Sequence, residues 1–286
     1  IPVGNPGLLW NSLWPTRSLI GKTDFCKPMP KNKDRLDVLL VERGLVESRA
    51  RARAYIMAGE VSVNGVRVDK AGTQVPLDAQ IELATPMPYV GRGGYKLAGA
   101  LDAFGVQVEG VVAADVGACT GGFTDVLLQR GAGRVYAIDV GQGQLDWKLR
   151  QDDRVTVLEK TNARYLDELA EPVDLVVIDV SFISLRLILP AVRKWLAEPA
   201  SVIALIKPQF EAGPESVGKG GIVRDPAVHR AVLEDSLAWM SGQGWGVQGL
   251  TRSSIEGSDG NVEYLVLLSS GGPSIETGVQ IDAVLK

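Results

Sequence analysis

The spacing of apolar residues changes character along the 286-residue chain, and each change predicts a different kind of element. Between Arg35 and Arg43, apolar side chains fall at Leu36, Leu39 and Leu40, one face of a helix, and Gly44 stops it. Ser48 is suited to cap a second helix, Arg49 to Ala58, which ends at Gly59. Glu60 to Asp69 then alternates apolar and polar residues around Asn64-Gly65, the dipeptide of a tight hairpin turn. After a turn near Pro76, Gln80 to Leu83 reads as a third strand. Two helices, a hairpin and a strand in so short a stretch predict a small α+β module.

Farther along, near-continuous apolar runs replace alternation. They occur at Val111 to Val116, Val135 to Val140, Val155 to Leu158, Leu175 to Val180 and Val202 to Ile206. Such strands are buried on both faces, as in a parallel sheet. Helical stretches separate them, among them Phe123 to Arg130 and Leu185 to Leu196, with Pro226 to Met240 following the last run. Gly246 to Thr251 and Val262 to Leu268 predict a closing antiparallel pair. The expected fold is an α/β, Rossmann-like, doubly wound and mostly parallel sheet with a final antiparallel strand, preceded by the small module. The expected divisions are 1–32 as a disordered tail, 33–90, 91–272, and 273–286 as a C-terminal tail.

Composition narrows the function classes. Hydrophobic residues make up 45% and charged residues 22%, as in ordinary globular chains. No apolar run nears the roughly 20 residues needed to span a bilayer. Cys26 and Cys119 stand far apart, which points away from a disulfide framework or a zinc site and toward a reducing compartment. His229, the one histidine, falls inside a helical stretch, and no GxSxG elbow accompanies it, so a Ser-His-Asp hydrolase is excluded. The net charge of −4 divides into +5 over residues 1–100 and −9 over the rest, so the front meets a polyanion more readily. Residues 1–30 hold five prolines and a single arginine, which suits a tail or a mis-called start better than a transit peptide. A cytoplasmic location is therefore expected, an organelle stroma or matrix being the alternative.

The first long strand runs into Ala114-Asp115-Val116-Gly117-Ala118-Cys119-Thr120-Gly121-Gly122-Phe123. A glycine turn there is where this fold class seats a nucleotide-like ligand. The dinucleotide fingerprint GxGxxG is absent, and Asp115 precedes the glycines. A carboxylate suits the ammonium and sulfonium of S-adenosyl-L-methionine better than a pyrophosphate. Asp139 ends the next strand, 24 residues on, where an acid accepts hydrogen bonds from ribose hydroxyls. Asn162 follows the third strand; its amide addresses adenine or merely shapes a turn.

Methyl transfer to a hydroxyl needs a base or a nearby positive charge. Asp179 and Lys207 end the fourth and fifth strands, Lys96 opens a helix, and Glu263 opens the last strand. An acid and a lysine at adjacent strand mouths suggest function, with a plain ion pair as the alternative. In the small module, Arg49, Arg51 and Arg53 form either a solvated helix face or a phosphate-binding face.

The run from Ser48 to Gly65 resembles the RNA-binding domain named after ribosomal small-subunit protein four. Lys96, Asp179, Lys207 and Glu263 resemble the Lys-Asp-Lys-Glu tetrad of FtsJ-type ribose 2′-O-methyltransferases. The phrases Gly-Gly-Tyr-Lys-Leu, Thr-Gly-Gly-Phe-Thr-Asp, Asp-Val-Ser-Phe-Ile-Ser, Lys-Pro-Gln-Phe-Glu and Asn-Val-Glu-Tyr are similar to those of the TlyA (haemolysin A type) ribosomal RNA methyltransferases. The resemblance spans about residues 33–270. It implies methylation of the ribose 2′-hydroxyl of cytidine in ribosomal RNA, free or in ribosomal subunits, with no metal and no membrane. Lys207 would deprotonate or activate the hydroxyl, Asp179 would orient Lys207 and face the sulfonium, and Lys96 and Glu263 would position the ribose. Asp115, Gly117, Gly121, Gly122, Phe123, Asp139, Asn162 and Asp179 would hold the cofactor. Arg92 would join Arg49, Arg51 and Arg53 on RNA.

Rival classes fit less well. Amino-nitrogen methyltransferases carry Asn/Asp-Pro-Pro-Tyr where this chain has Asp179-Val-Ser-Phe182, and carbon-five enzymes need a Pro-Cys pair that is missing there. A membrane-lytic protein would need a spanning or strongly cationic amphipathic helix. A non-catalytic RNA-binding protein would have no use for the intact tetrad.

Overall fold

In the computed structural model the described residues are 32–57, 59–83, 88–218, 220–257 and 260–286. Residues 1–31, expected to be a disordered tail, lie outside them. The chain divides between Pro86 and Met87 into two compact units.

The first unit contains β1 (Lys33–Arg35), α1 (Leu36–Glu42), α2 (Arg49–Met57), β2 (Val61–Val63), β3 (Val66–Arg67), β4 (Gln74–Pro76) and β5 (Ile81–Leu83). Leu36, Leu39 and Leu40 of α1 pack on Ala52 and Ile56 of α2 and on Val61, Val75 and Ile81 of the strands. Asn64 and Gly65 both adopt positive φ, so β2 turns tightly into β3. The strand at 80–83 adds to the other side of β2, Val61 opposite Leu83. A second, two-stranded sheet pairs β1 with β4, Asp34 opposite Val75. Three-residue strands are too short to betray themselves by alternation, so this pair has no sequence signature.

The second unit contains α3 (Gly93–Phe104), β6 (Val112–Val116), α4 (Gly122–Gln129), β7 (Arg134–Ile138), α5 (Trp147–Arg150), β8 (Val155–Leu158), β9 (Val173–Ile178), α6 (Leu189–Val192), β10 (Leu196–Ile206), α7 (Pro208–Glu211), α8 (Pro226–Gly242), β11 (Gly246–Arg252), β12 (Tyr264–Ser269) and α9 (Thr277–Val284). Its seven strands lie in the order β11-β12-β10-β9-β6-β7-β8. The five strands from β10 to β8 in that order are parallel; β12 runs antiparallel to β10, and β11 runs antiparallel to β12. Alternate strand residues feed two cores. Ala113, Val135, Ala137, Val177 and Leu205 face α3 and α4, while Ala114, Tyr136, Ile138, Val176 and Ala204 face α6 and α8. Chain order reverses at β6, which has β7 on one side and β9 on the other. At such a switch point the loops leaving neighbouring strands part and open a crevice.

Three expectations need correction. Residues 185–196 are not one helix: 3-10 turns at Leu185–Leu187 and Arg193–Trp195 flank the four-residue α6. Pro190 has no N–H and is tolerated only in the first turn, so the helix restarts there. Residues 88–90 belong with the second unit, since Val90 N–H donates to Asp125 Oδ2 at 2.9 Å and Tyr89 packs edge-on against Tyr95. Residues 273–286 are not a loose tail. Ile275 N–H donates to Val247 O at 2.8 Å, and Ile281 of α9 is 1% exposed within the core. Ile281→Ala is expected to destabilise this unit by about 2–4 kcal/mol. Thermal unfolding checks it, and an unchanged midpoint would show α9 to be dispensable.

Candidate active site

Asp179 follows β9 and Lys207 follows β10, neighbours in the sheet with Ala204 opposite Ile178. Lys207 Nζ lies 2.6 Å from Asp179 Oδ1 and donates to Ser181 Oγ at 3.0 Å. It also stands 5.7 Å from the centre of the Phe210 ring. Lys96, in the first turn of α3, reaches Glu263 Oε2 at 2.5 Å across 167 residues of chain, and both are buried. A cation in the first turn of a helix opposes the dipole, and Glu263 supplies the compensating charge. Gln209 donates to the other oxygen of Glu263 at 3.4 Å. The four residues anticipated as a tetrad thus form two ion pairs in the wall of one cleft of about 350 Å³. Arg92, Ser181, Phe182, Gln209 and Glu256 line it as well.

The glycine turn forms the adjoining wall. A smaller hollow of about 130 Å³ is lined by Gly93, Gly117, Cys119, Gly122, Phe123 and Asp179, four of which also line the main cleft. Gly117 has φ +88°, and an added Cβ would lie 2.4 Å from the backbone oxygen of Asp179. No other residue allows the two strand ends to approach this closely. At Gly121 a Cβ would strike Leu149 at 2.2 Å, so this glycine serves helix packing. Cys119 and Phe182 hold positive φ, of 48° and 63°, on opposite loops of the cleft. Strained backbone of this kind concentrates at functional sites. Phe182 is 91% exposed and packs at 5.0 Å on Phe210.

Two expected cofactor residues sit differently. Asp115 does not face the cleft. The alternation of β6 puts it on the same side as Ala113, beneath α4, fully buried. Its Oδ2 accepts hydrogen bonds from Thr124 N–H at 2.8 Å and Thr124 Oγ at 2.6 Å, tying down the start of α4, while Oδ1 has no partner among the described residues. The carboxylate that borders both the cleft and the glycine hollow is Asp179. Asn162 is exposed, and its side-chain oxygen accepts from Arg164 N–H at 3.1 Å, so it shapes a turn.

Asp139 stands at the end of β7 with both oxygens engaged, by Cys119 N–H at 2.8 Å and Gly141 N–H at 2.6 Å. The space beside it, between Gly141, Gln144, Leu145 and Glu159, is about 10 Å³, too small for a nucleoside. A ligand reaching Asp139 must displace the turn at 141–145.

Sequence reasoning overlooked Glu211 and Asn261. Glu211 Oε2 accepts from Ser184 Oγ at 2.6 Å and Oε1 from Leu185 N–H at 2.8 Å, fastening the loop that carries Ser181 and Phe182 to the segment that carries Lys207 and Gln209. Burial pushes its carboxyl above the usual range. Asn261, 1% exposed, holds Val223 N–H at 3.0 Å and Gly221 O at 2.9 Å beside Glu263. Both lie within the quoted motifs, but nothing in their spacing distinguishes them from surface polar residues. His229 is a buried helix residue bonded to Val223 O and Tyr264 Oη. Among the described residues no cluster of three or more His, Cys, Asp or Glu is placed to hold a metal.

In the first unit, Arg49 and Arg53 both turn to Asp37, whereas Arg51 pairs with Glu47 at 3.6 Å and lies over Tyr55. The three arginines anticipated together therefore separate.

Residues 89–270 match the family model described as FtsJ-like methyltransferase, and residues 34–81 match the S4 domain. A candidate rRNA methyltransferase of Bacillus subtilis is 50% identical over 87% of this chain and 90% of its own length. The 16S/23S rRNA (cytidine-2′-O)-methyltransferase TlyA of Mycobacterium tuberculosis is 46% identical over 82% and 89%. A solved structure of a candidate hemolysin from Streptococcus thermophilus covers 89% of this chain and 94% of its own at 46% identity, with a TM-score of 0.70.

Burial pushes the Asp115 carboxyl up to about 7, and the nearby Asp179 and Asp139 add to the rise, against the hydrogen bonds from Thr124. A folded-state value above the unfolded one, near 4, means that the native state holds this proton more tightly. The resulting penalty is absent below pH 4, grows through the window from about 4 to 7, and is complete above it. Asp115→Asn is therefore expected to gain stability relative to the parent as pH rises across that window. Melting curves without methyl donor check this, and a difference independent of pH would contradict it.

Proposed function

The chain belongs to the FtsJ-like methyltransferase family and carries an S4 domain ahead of the catalytic unit. From that premise we propose that it transfers a methyl group from S-adenosyl-L-methionine to the ribose 2′-hydroxyl of cytidine in ribosomal RNA. The observation that supports this most is the cleft in which the Lys207–Asp179 and Lys96–Glu263 pairs meet beside the Gly117 turn. The M. tuberculosis relative carries that activity in its name.

The residues present suit this methyl donor. Gly93, Gly117, Gly122 and Phe123 leave a cradle that side chains would fill, and Asp179 sets a carboxylate against it. A carboxylate favours the cationic end of the cofactor, and a phosphate would be repelled. Asp139 is the seat for the nucleoside ribose once the 141–145 turn moves aside. S-adenosyl-L-methionine supplies, when bound, an electrophilic methyl group.

The chain's own side chains do the rest. Lys207, paired with Asp179 and Ser181, aims its remaining donor capacity at the cleft and lowers the energy of the alkoxide as the hydroxyl loses its proton. Asp179 positions Lys207 and keeps the wall near neutral. Lys96 and Glu263 fix the ribose from the opposite wall, with Gln209 holding Glu263 in turn. The exposed Phe182 ring offers a stacking surface for a base drawn out of its RNA strand. The cytoplasm, where ribosomal RNA is met, is the expected location.

A membrane-lytic role has less behind it. Among the described residues no helix is long and apolar enough to cross a membrane.

Lys207→Ala is expected to lower the methylation rate by at least about 100-fold, the scale of one transition-state donor, while S-adenosyl-L-methionine binding by calorimetry persists. Full activity in this variant would remove the role assigned to Lys207.

A further inference from the structure

Lys207 is 7% exposed, and its nitrogen has two partners from one loop, Asp179 Oδ1 at 2.6 Å and Ser181 Oγ at 3.0 Å. Asp179 belongs to the anticipated tetrad; Ser181 does not. We infer that Ser181 is a positioning residue for the methyl transfer: its hydroxyl holds Lys207 so that the last position on the nitrogen is kept for the attacking ribose hydroxyl. This rests on the methyltransferase function proposed for the cleft.

A lysine nitrogen has three positions beyond its carbon. A single bond to Asp179 would leave the group free to turn about Cε–Nζ, and a second bond stops that rotation. With Asp179 and Ser181 both engaged, one position remains for the cleft, which Lys207 and Ser181 line together. The role is the same whether that position carries a hydrogen that steadies the alkoxide or a lone pair that takes the proton. Ser181 has no other task in its loop. Ser184, three residues on, accepts from Arg186 N–H at 3.2 Å and donates to Glu211 Oε2 at 2.6 Å, which builds the turn and anchors it. Among the described residues Ser181 Oγ bonds to Lys207 alone. It is exposed, so packing does not account for it.

The loop holds Ser181 in place from both sides. Before it, Asp179 N–H donates to Val116 O at 2.9 Å, and the close approach of Gly117 fixes the backbone at 179–180. After it, Glu211 clamps Ser184 and Leu185. Glu211 itself lies one helical turn past Lys207, its N–H donating to Lys207 O at 3.2 Å. The element that carries Lys207 therefore also anchors the loop that carries Ser181, and the distance between the two is set twice. Rates fall steeply when a reacting group is misplaced by about 1 Å, so a fixed nitrogen is worth this much support.

The test is the steady-state methylation of ribosomal RNA by the full chain, with RNA and S-adenosyl-L-methionine varied in turn. Ser181→Ala is expected to lower kcat about tenfold or more, the loss of one hydrogen bond from a charged donor, with both KM values within about twofold of the parent. Ser181→Thr keeps the hydroxyl and is expected to restore most of kcat. Ser181→Cys keeps nearly the same shape but offers a weak acceptor, and is expected to stay low. Parental kcat in Ser181→Ala would overturn the role. So would equal losses in the alanine and threonine variants, or a raised KM together with a lower melting midpoint, since both mark a merely structural residue. If Ser181→Ala is unfolded at the assay temperature, the near-isosteric Ser181→Cys decides: a low kcat in folded protein supports the role, and a parental one overturns it. The parent is assayed alongside, with the added methyl located by mass spectrometry. If the parent leaves the ribose unmethylated, the proposed function falls and this role falls with it; if the parent methylates ribose and Ser181→Ala matches it, only the role of Ser181 falls.

Discussion

An ammonium group can be sunk into the end of a parallel sheet only when a carboxylate goes in with it. Lys207 and Asp179 meet that condition from adjacent strands, 2.6 Å apart, and Lys96 and Glu263 meet it from opposite ends of the catalytic unit. Each pair closes only after the elements that carry it have packed. The first needs β9 beside β10; the second needs α3 against the start of β12. A chain that has not assembled this sheet has no cleft of alternating charge, so the chemistry proposed for it is a property of the finished fold. Removing Lys96 or Glu263 would leave the other as a buried, uncompensated charge.

The surrounding polar groups make sense as supports for those pairs. Glu211 ties the Ser184–Leu185 backbone to the segment after β10, so the loops bearing Ser181 and Gln209 keep a fixed spacing. Asn261 and His229 fasten the 221–223 loop and Tyr264 behind Glu263. Left-handed backbone at Cys119 and Phe182 stores strain on either side of the cleft. The turn after Asp139 is fastened to it by Gly141 N–H, so the strand end is held in shape. In the S4 domain the buried carboxylate is Asp37, on which Arg49 and Arg53 converge.

Much of this was legible in the order of residues. Continuous apolar runs identified the parallel strands because both of their faces are covered, and the acids and lysines at their ends stood out against those runs. The tetrad was gathered by likeness to a family, and the fold brings its members to one cleft. What escaped detection did so for physical reasons. Asp115 looked like a ligand because it precedes the glycines, but strand alternation turns it under α4, where it fastens Thr124. The helix expected over 185–196 broke at Pro190, whose missing N–H outweighs an apolar spacing. β1 and β4 are three residues each, below the length at which a period exists. Helix α9 carries one deeply buried residue, Ile281, too little pattern to mark a helix at the end of a chain.

The paired-lysine cleft is tested most directly by incubating ribosomal RNA with the protein and S-adenosyl-L-methionine, digesting it to nucleosides and reading them by mass spectrometry. The added methyl should be found on the ribose of cytidine, in amounts that rise with enzyme. A methyl on a base, or no methylation by folded protein with the donor bound, would contradict the chemistry assigned to Lys207 and its partners.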